Sequence, residues 1–167
     1  MKYGVMTFLI SHKKVLMVKK GIRIDDPNSG YFTLPGGKLK DGEKGLSPKG
    51  RIIAAIRETQ EETGIKPLNP DLRGVILFDN EGRTFDNWKN PSDFLVYIYV
   101  ARKYKGKVRN SEEGVTYGIP FDKIEELPSN PGDARMYEWL RDGRNFTGVI
   151  RHKGNMVDEE NTWVDYI

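Results

Sequence analysis

Apolar runs separated by short polar turns dominate the beginning of the chain. Lys2 to Ile10 is rich in strand-forming residues, and Val15 to Val18 repeats that character after the polar break at His12 to Lys14. This pattern predicts a β-hairpin. A polar, turn-rich loop over Lys19 to Gly30 and a short strand over Tyr31 to Leu34 are expected to follow.

A helical spacing replaces this pattern after the glycine turn at Gly36 and Gly37. Ser47 and Pro48 can cap and begin a helix, although Gly50 makes a start near Arg51 an open alternative. Gly64 is expected to end it. The expected buried stripe of this helix consists of Ile52, Ala55, Ile56 and Thr59, with Arg57, Glu58, Glu61 and Glu62 toward the other side.

The second half of the chain returns to strand patterns and ends with a second helix. The nearly continuous apolar run of Phe94 to Ala101 indicates a strand buried on both faces. The predicted elements are strands over Leu72 to Phe78, Phe94 to Ala101, Val115 to Ile119, Phe146 to Ile150 and Thr162 to Ile167, a loop over Asp79 to Asp93, a basic turn over Lys103 to Lys107, a short helix or turn over Pro120 to Leu127, and a helix over Pro131 to Asp142 with Met136, Trp139 and Leu140 inward.

Composition narrows the class of protein. The 167 residues suit a single domain over residues 1–167, and 27 Lys and Arg against 24 Asp and Glu give only a weak basic excess. We therefore expect no nucleic-acid partner, although anionic substrates are compatible. The chain has no cysteine, which excludes disulfides and thiol nucleophiles. It shows neither a signal-peptide pattern nor an apolar run of membrane length, so we expect a cytoplasmic protein without a membrane partner.

Three glutamates in the predicted first helix carry the strongest chemical signal. Glu58, Glu61 and Glu62 stand at i, i+3 and i+4, so their like charges should repel on one helix face. Magnesium binds through a few carboxylates together with substrate phosphates and would relieve that repulsion. Upstream, the double glycine lets a ligand approach the backbone closely, and Lys38 can reach a phosphate.

This arrangement resembles the signature of the Nudix hydrolase family. Gly37 and Glu43 keep the spacing of its first half, and the run from Arg57 to Ile65 keeps its second half. Two features depart from the family pattern. Thirteen residues separate Glu43 from Arg57 where the family has seven, and Thr59 replaces an aliphatic residue. The resemblance implies an α+β fold, an α/β/α sandwich with a mixed central sheet between helices.

The resemblance also implies roles for individual residues. Glu58, Glu61 and Glu62, with the carbonyl of Gly36, would hold Mg²⁺ or Mn²⁺, Arg57 would orient a carboxylate, and Gly37 and Lys38 would face the phosphates. Glu113, or Glu112 as a second choice, matches a glutamate that joins the metal site in relatives that remove oxidised nucleotides. The general base would lie among these glutamates, and the residues alone do not assign it to one of them. Glu43 is the remaining glutamate of the signature.

The expected base-recognition residues are less well matched. Asp133 matches an aspartate that reads the oxidised purine in 8-oxo-dGTP diphosphatases, whereas Asn130 stands where those enzymes have a tryptophan. Thr33 replaces an asparagine that contacts the base. Phe85 and Trp88 lie in a polar loop, where their rings could stack on a base or cap the core.

Three functions fit these observations. The first is hydrolysis of a nucleoside triphosphate, including an oxidised purine such as 8-oxo-dGTP, to the monophosphate and pyrophosphate. The second is hydrolysis of ADP-ribose, another nucleotide sugar or a capped RNA end. The third is nucleotide sensing without catalysis. All three imply a small-molecule nucleotide or a nucleotide end as the ligand, and the sequence leaves monomer and homodimer open.

Overall fold

The computed structural model describes residues 1–24, 26, 28–40, 47–83 and 92–167. Two α-helices lie in this part of the chain, α1 (Pro48–Thr63) and α2 (Pro131–Asp142), with 3-10 helices at Phe121–Glu126 and Glu159–Asn161. The strands are β1 (Lys2–Ser11), β2 (Lys14–Lys20), β3 (Phe32–Thr33), β4 (Gly36–Lys38), β5 (Ile65–Leu68), β6 (Asp71–Arg83), β7 (Phe94–Ala101), β8 (Lys103–Gly106), β9 (Gly114–Pro120), β10 (Phe146–Gly154), β11 (Met156–Val157) and β12 (Trp163–Tyr166).

A mixed β-sheet forms the centre of the fold. Its strands follow the order β11-β10-β6-β7-β1-β2-β3, while β4 pairs with β1, β9 with β2 and β12 with β10. The pairs β1/β7 and β6/β10 are parallel, and β6/β7 between them is antiparallel. The strands β5 and β8 form a separate antiparallel pair. This mixed sheet confirms the predicted α+β fold.

The two helices cover opposite faces of this sheet, as alternate residues of β7 show. Val96 and Ile98 belong to the large core cluster that includes Met136 and Leu140 of α2. Tyr99 instead belongs to a smaller cluster with Val5, Leu39, Ala54 and Ala55, the last two of which lie on α1. Because neighbouring strand residues point to opposite faces, β7 is buried on both sides, as its apolar sequence predicts.

Several sequence-based element predictions were wrong in a consistent way. The residues 79–83, predicted as the start of a loop, continue β6 because they pair with β10. The predicted basic turn at 103–107 is largely β8, paired with β5, and the predicted glycine turn is β4, paired with β1. In each case backbone pairing with a distant strand overrides the local polar sequence. The helix α1 begins at Pro48, not near Arg51.

No helix in the described ranges is long and apolar enough to cross a membrane.

Gly74 of β6 provides a test of the sheet packing. It lies opposite Phe146 of β10, and a Cβ atom at this position would come within 2.5 to 2.8 Å of ring atoms of Phe146. Because Phe146 is fully buried, its ring has little room to move. We expect Gly74→Ala to lower the free energy of unfolding by about 1–3 kcal/mol, measured by urea denaturation. Gly118→Ala is the control, because the nearest atom to its Cβ lies 3.6 Å away, at the end of a lysine stem, and its effect should stay within about 0.5 kcal/mol.

Candidate active site

The C-terminal half of α1 presents the predicted carboxylates. Gly64 ends the helix with a positive φ of 79°, and its N–H donates to the Gln60 carbonyl at 2.9 Å. Glu58, Glu61 and Glu62 therefore lie in the last two turns of the helix. These turns face β4, the short strand formed by the double glycine.

The two glycines of β4 let the strand fit between β1 and these carboxylates, because a Cβ atom on Gly36 would clash with the backbone of Val5 and Met6. A Cβ atom on Gly37 would stand 2.5 Å from the carboxyl carbon of Glu58. The N–H of Gly36 points toward a carboxylate oxygen of Glu62, with an N···O distance of 3.4 Å. A side chain at position 37 would therefore displace Glu58. The predicted approach of a ligand to this backbone stays a prediction; what the structure shows is a strand whose Gly37 lies against Glu58.

The three helix carboxylates are not equivalent. The Glu61 side chain is 54% exposed, that of Glu58 15% and that of Glu62 only 6%. Glu62 continues the buried face formed by Ala55 and Thr59, so the prediction that all three glutamates point away from the buried stripe was wrong for Glu62. Helical periodicity explains this, since positions 55, 59 and 62 fall on one face.

Two basic residues hold the carboxylates in ion pairs. Arg57 Nη1 donates to Glu58 Oε1 at 2.8 Å and to Glu61 Oε2 at 3.2 Å, which agrees with an orienting role. Lys20 Nζ lies 3.1 Å from Glu113 Oε2 and 3.8 Å from Glu62 Oε1. The sequence analysis missed Lys20, which it placed in a polar loop. The strand β2 continues to Lys20 and carries it into the site.

Glu113 reaches the cluster on a segment attached to the end of α1. The backbone N–H of Arg109 donates to the Thr63 carbonyl at 2.8 Å, and its guanidinium donates to the Gln60 carbonyl at 3.1 Å. These carbonyls belong to the last turn of the helix, where carbonyl groups lack partners within the helix. The segment thereby places Glu113 beside Lys20 and Glu62.

Burial raises the pKa of Glu62 to about 7. The neighbouring Lys20 and the Gly36 N–H oppose this shift, while Glu58 and Glu113 add to it. A buried carboxylate in such surroundings is stabilised by any cation that can approach it. A divalent ion with a preference for oxygen ligands fits this donor set of carboxylates.

The carboxylates of Glu58, Glu61, Glu62 and Glu113 do not converge on a common point. Across the described ranges, no three acidic or histidine side chains are positioned together as metal ligands. Arg57 pairs with Glu58 and Glu61, while Lys20 pairs with Glu113 and Glu62. Coordination of one ion by all four carboxylates would require these pairs to rearrange. The Gly36 carbonyl remains a predicted ligand.

A cavity of about 770 Å³ joins this cluster to a second polar site. Glu58, Glu62 and Glu113 line one side of it, and Asp133 and Arg83 line the other. Among the predicted phosphate and base residues, those that also line it are Gly36, Gly37, Lys38 and Thr33. A smaller cavity of about 400 Å³ lies among Glu58, Glu61, Glu62, Arg109, Ser111, Glu112 and Glu113.

Asp133, near the N-terminus of α2, is the buried acid of the second site. Burial raises its pKa to about 7, against the opposing effects of Arg83 and Lys20. Burial likewise lowers the pKa of Arg83 to about 10. Arg83 donates to the Asn130 side-chain oxygen at 3.0 Å, and the Asn130 amide donates to Asn28. This network fixes Asn130 at the wall of the cavity, at the position where a tryptophan was expected from the resemblance.

Some buried polar atoms have no hydrogen-bond partner among the described residues, and those on lining residues of the large cavity include Thr33 Oγ1, Asn80 Oδ1 and His152 Nε2. Burial lowers the pKa of His152 to about 4, so its imidazole is neutral at pH 7. Its Nδ1 lies 3.4 Å from the Asp79 carbonyl oxygen, which leaves Nε2 as the acceptor when Nδ1 carries the proton. All three residues line the large cavity. A bound ligand can therefore supply the missing partners.

The sequence analysis did not select Arg83, Asn80 or His152. Arg83 and Asn80 fell in the predicted loop that is in fact β6. For His152 a signal existed, because the alternation of Phe146, Gly148 and Ile150 continues to His152 on the same face of β10. The predicted residues Glu43, Phe85 and Trp88 lie outside the described residues.

Comparisons with known proteins agree with the motif. A family model described as the NUDIX domain matches residues 2–140. The uncharacterized Nudix hydrolase YvcI of Bacillus subtilis (strain 168) is 33% identical over 132 residues, which cover 78% of this chain and 73% of YvcI.

Solved structures share the fold. A MutT protein from Bacillus halodurans superposes with a TM-score of 0.72 at 23% identity, covering 99% of this chain and 97% of its own. A bifunctional NMN adenylyltransferase/ADP ribose pyrophosphatase from Francisella tularensis, complexed with AMP and a Mn ion, gives a TM-score of 0.57 at 19% identity, covering 84% of this chain and 41% of its own.

Asp133 makes a testable contribution to the pH dependence of stability. Its pKa in the folded protein is raised above the ordinary value of 3.8, so between about pH 4 and 7 the folded state binds more protons than the unfolded state. Stability from this group is complete below pH 4 and is lost as the pH rises through 7. Arg83, Lys20 and Tyr137 are the charged and titratable groups whose electrostatic interaction with Asp133 bears on this titration.

The unfolding free energy of Asp133→Asn should rise relative to that of the wild type as the pH increases from 4.5 to 8, because only the wild type loses the contribution of Asp133. We expect the difference between the two proteins to change by on the order of 3 kcal/mol. Urea denaturation at a series of pH values measures both proteins. Contributions of other groups, such as His152, largely cancel in the difference. Parallel stability curves for the two proteins would show that Asp133 titrates normally.

Proposed function

Because the chain belongs to the Nudix hydrolases, a family of pyrophosphohydrolases that act on nucleoside diphosphate derivatives with divalent metal ions, we propose that it hydrolyses a purine nucleoside triphosphate to the monophosphate and pyrophosphate. The observation that carries this proposal is the cavity of about 770 Å³ that connects the glutamate cluster to Asp133. A nucleotide lying in it would place its phosphates at the cluster and its base against Asp133 and Arg83.

We assign Mg²⁺ to the glutamate cluster, with Glu58, Glu61, Glu62 and Glu113 as the side-chain ligands. When bound, the ion screens the negative charge of the phosphates and lowers the pKa of a bound water. The protein contributes the orientation of the ligands. Arg57 contacts Glu58 and Glu61 and fixes their carboxylates relative to each other.

A carboxylate of the same cluster takes the proton from the attacking water. The cluster is a coupled set, since Glu58 and Glu113 both raise the pKa of Glu62. The proton therefore belongs to the group of carboxylates, and its removal is a property of the cluster. The absence of cysteine and of a serine nucleophile motif in the sequence agrees with direct attack by water.

The phosphate chain is expected to lie along β4. Gly37, Lys38, Lys2 and Lys40 all line the cavity. The positive charges of the three lysines suit the terminal phosphates of a triphosphate, which carry the most negative charge. Binding energy on these phosphates positions the scissile bond without a covalent intermediate.

Hydrogen-bond acceptors exceed donors at the base end of the cavity. Asn80 Oδ1 and His152 Nε2 accept, Asp133 accepts when it is ionised, above its pKa of about 7, and Arg83 donates. A guanine base offers donors at N1 and N2 and an acceptor at O6, which matches this set better than adenine does. An 8-oxoguanine base adds a further N–H at N7. We therefore propose guanine nucleotides, including 8-oxo-dGTP, as the preferred class, with Thr33 contacting the base or sugar.

A second candidate is ADP-ribose or a related dinucleotide. The Francisella tularensis neighbour has an ADP ribose pyrophosphatase activity in its name, and it shares the fold that forms the cleft. The same glutamate cluster would serve both reactions. The two substrates differ in the product, since ADP-ribose gives AMP and ribose phosphate without pyrophosphate.

A nucleotide panel distinguishes these candidates. We would incubate the protein with dGTP, 8-oxo-dGTP, dATP, ADP-ribose and a capped dinucleotide, each with Mg²⁺, and separate the products by ion-exchange chromatography. We expect pyrophosphate release with the guanine nucleotides to exceed that with dATP. Faster release of AMP from ADP-ribose would favour the second candidate, and no metal-dependent turnover of any compound would contradict the proposal.

Glu61 tests the metal assignment with little risk to folding, because its side chain is largely exposed. We expect Glu61→Gln to lower kcat by about 100-fold or more, since it removes a charged ligand or base from the cluster. Circular dichroism should show an unchanged fold. The matched control is Glu138→Gln on α2, which also removes a helix glutamate paired with an arginine, here Arg135 at 3.2 Å, but lies outside both cavities. Unchanged turnover in Glu61→Gln would refute this assignment.

A further inference from the structure

Lys20 is the basic residue that links the two carboxylates contributed by different elements. It lies at the end of β2, and its side chain is only 13% exposed. Its ammonium group contacts Glu113 at 3.1 Å and Glu62 at 3.8 Å. The backbone holds this position firmly, because the Lys20 N–H donates to the Tyr31 carbonyl at 2.9 Å and the Lys20 carbonyl accepts from Gly30 at 3.2 Å.

We propose that Lys20 competes with the divalent metal ion for Glu62 and Glu113, and that it transfers to a substrate phosphate when the metal binds. The inference rests on the proposed function and adds a residue to it. An ammonium group and a metal ion both bind carboxylate oxygens, so an ion held by Glu62 and Glu113 would compete with Lys20 for them. The displaced charge then repels the ion unless a phosphate anion neutralises it.

The position of Lys20 in the cavity makes this transfer possible. It lines the same cavity as Gly36, Gly37 and Lys38, which we assign to the phosphates. Its charge also acts on Asp133 at the other side, where it opposes the rise of the pKa. Lys20 therefore stands between the metal cluster and the base end, where a phosphate chain must pass. Loading of metal and of nucleotide would be coupled through its charge.

Lys19 provides a matched control on the same strand. Its ammonium group lies 5.8 Å from the centre of the Phe32 ring, and the residue is outside both cavities. Alternation along β2 directs it to the opposite face from Lys20. Replacing either lysine by methionine removes one charge and keeps the apolar stem, so the comparison isolates the position of the charge.

The test is a calorimetric titration of the full chain with Mn²⁺ in the absence of nucleotide. We expect Lys20→Met to bind Mn²⁺ about tenfold more tightly than wild type, the factor for one charge a few ångström from a divalent ion in a largely aqueous dielectric. At saturating metal, its KM for dGTP should rise about tenfold. Lys19→Met should change neither value by more than about twofold.

The opposite signs of the two effects distinguish this role from a structural one. A residue that only supports the fold would weaken both metal and nucleotide binding when it is replaced. Unchanged or weaker Mn²⁺ binding by Lys20→Met therefore overturns the inference, and Lys20→Gln repeats the measurement if the methionine variant does not fold. Tighter Mn²⁺ binding without a rise in KM would refute the transfer to phosphate.

The same experiment separates this inference from the proposed function. If wild type takes up no Mn²⁺ and hydrolyses no nucleotide, the proposed function fails. If wild type does both and Lys20→Met behaves as wild type, only the role of Lys20 fails.

Discussion

The close contact between the backbone of β4 and the carboxylates of α1 is the constraint on which the site depends. A strand can approach a glutamate this closely only where no side chain intervenes, and position 37 is glycine, while Gly36 allows the close approach of β4 to β1. The sheet fixes β4 through its pairing with β1, and the small core between α1 and β7 fixes the helix. The distance between β4 and α1 is thus set by packing that lies outside the site.

The same electrostatic arrangement occurs at both ends of the cavity. Each end has one buried carboxylate whose pKa is raised to about 7, Glu62 at one end and Asp133 at the other, and each carboxylate faces a basic residue that opposes the shift. Lys20 contributes to both ends. A buried acid with only partial compensation costs stability, and such groups are commonly retained where a ligand completes the compensation.

The part of the site that lies on one helix could be predicted from sequence, because helical geometry fixes the relative positions of Glu58, Glu61 and Arg57. The prediction was wrong for the environment of Glu62, since burial depends on what packs against the helix. Site residues that come from distant strands were harder to predict. Lys20 and Arg83 both lie at strand ends whose polar sequence is typical of a loop. Only the pairing with neighbouring strands shows where β2 and β6 end.

His152 is an intermediate case. The alternation of residues along β10 indicated a buried position, but its basic neighbours in the sequence indicated an exposed one.

The fold was easier to predict from the sequence than these contacts. The apolar runs correctly indicated the hairpin, the central strands and α2, and the motif supplied the mixed sheet. Predictions failed mainly where a polar segment joined a sheet through its backbone alone, as at β8.

The attachment of the Arg109 segment to the last carbonyls of α1 has a consequence for motion. The backbone and guanidinium of Arg109 both bind the helix end. The carbonyl of Glu113, however, accepts from the Gly21 N–H, and the next residue begins β9, so Glu113 is anchored to the sheet as well. A shift of α1 against the sheet would therefore strain the segment between Arg109 and Glu113, and the distance from Glu113 to the helix carboxylates depends on how firmly the helix is docked.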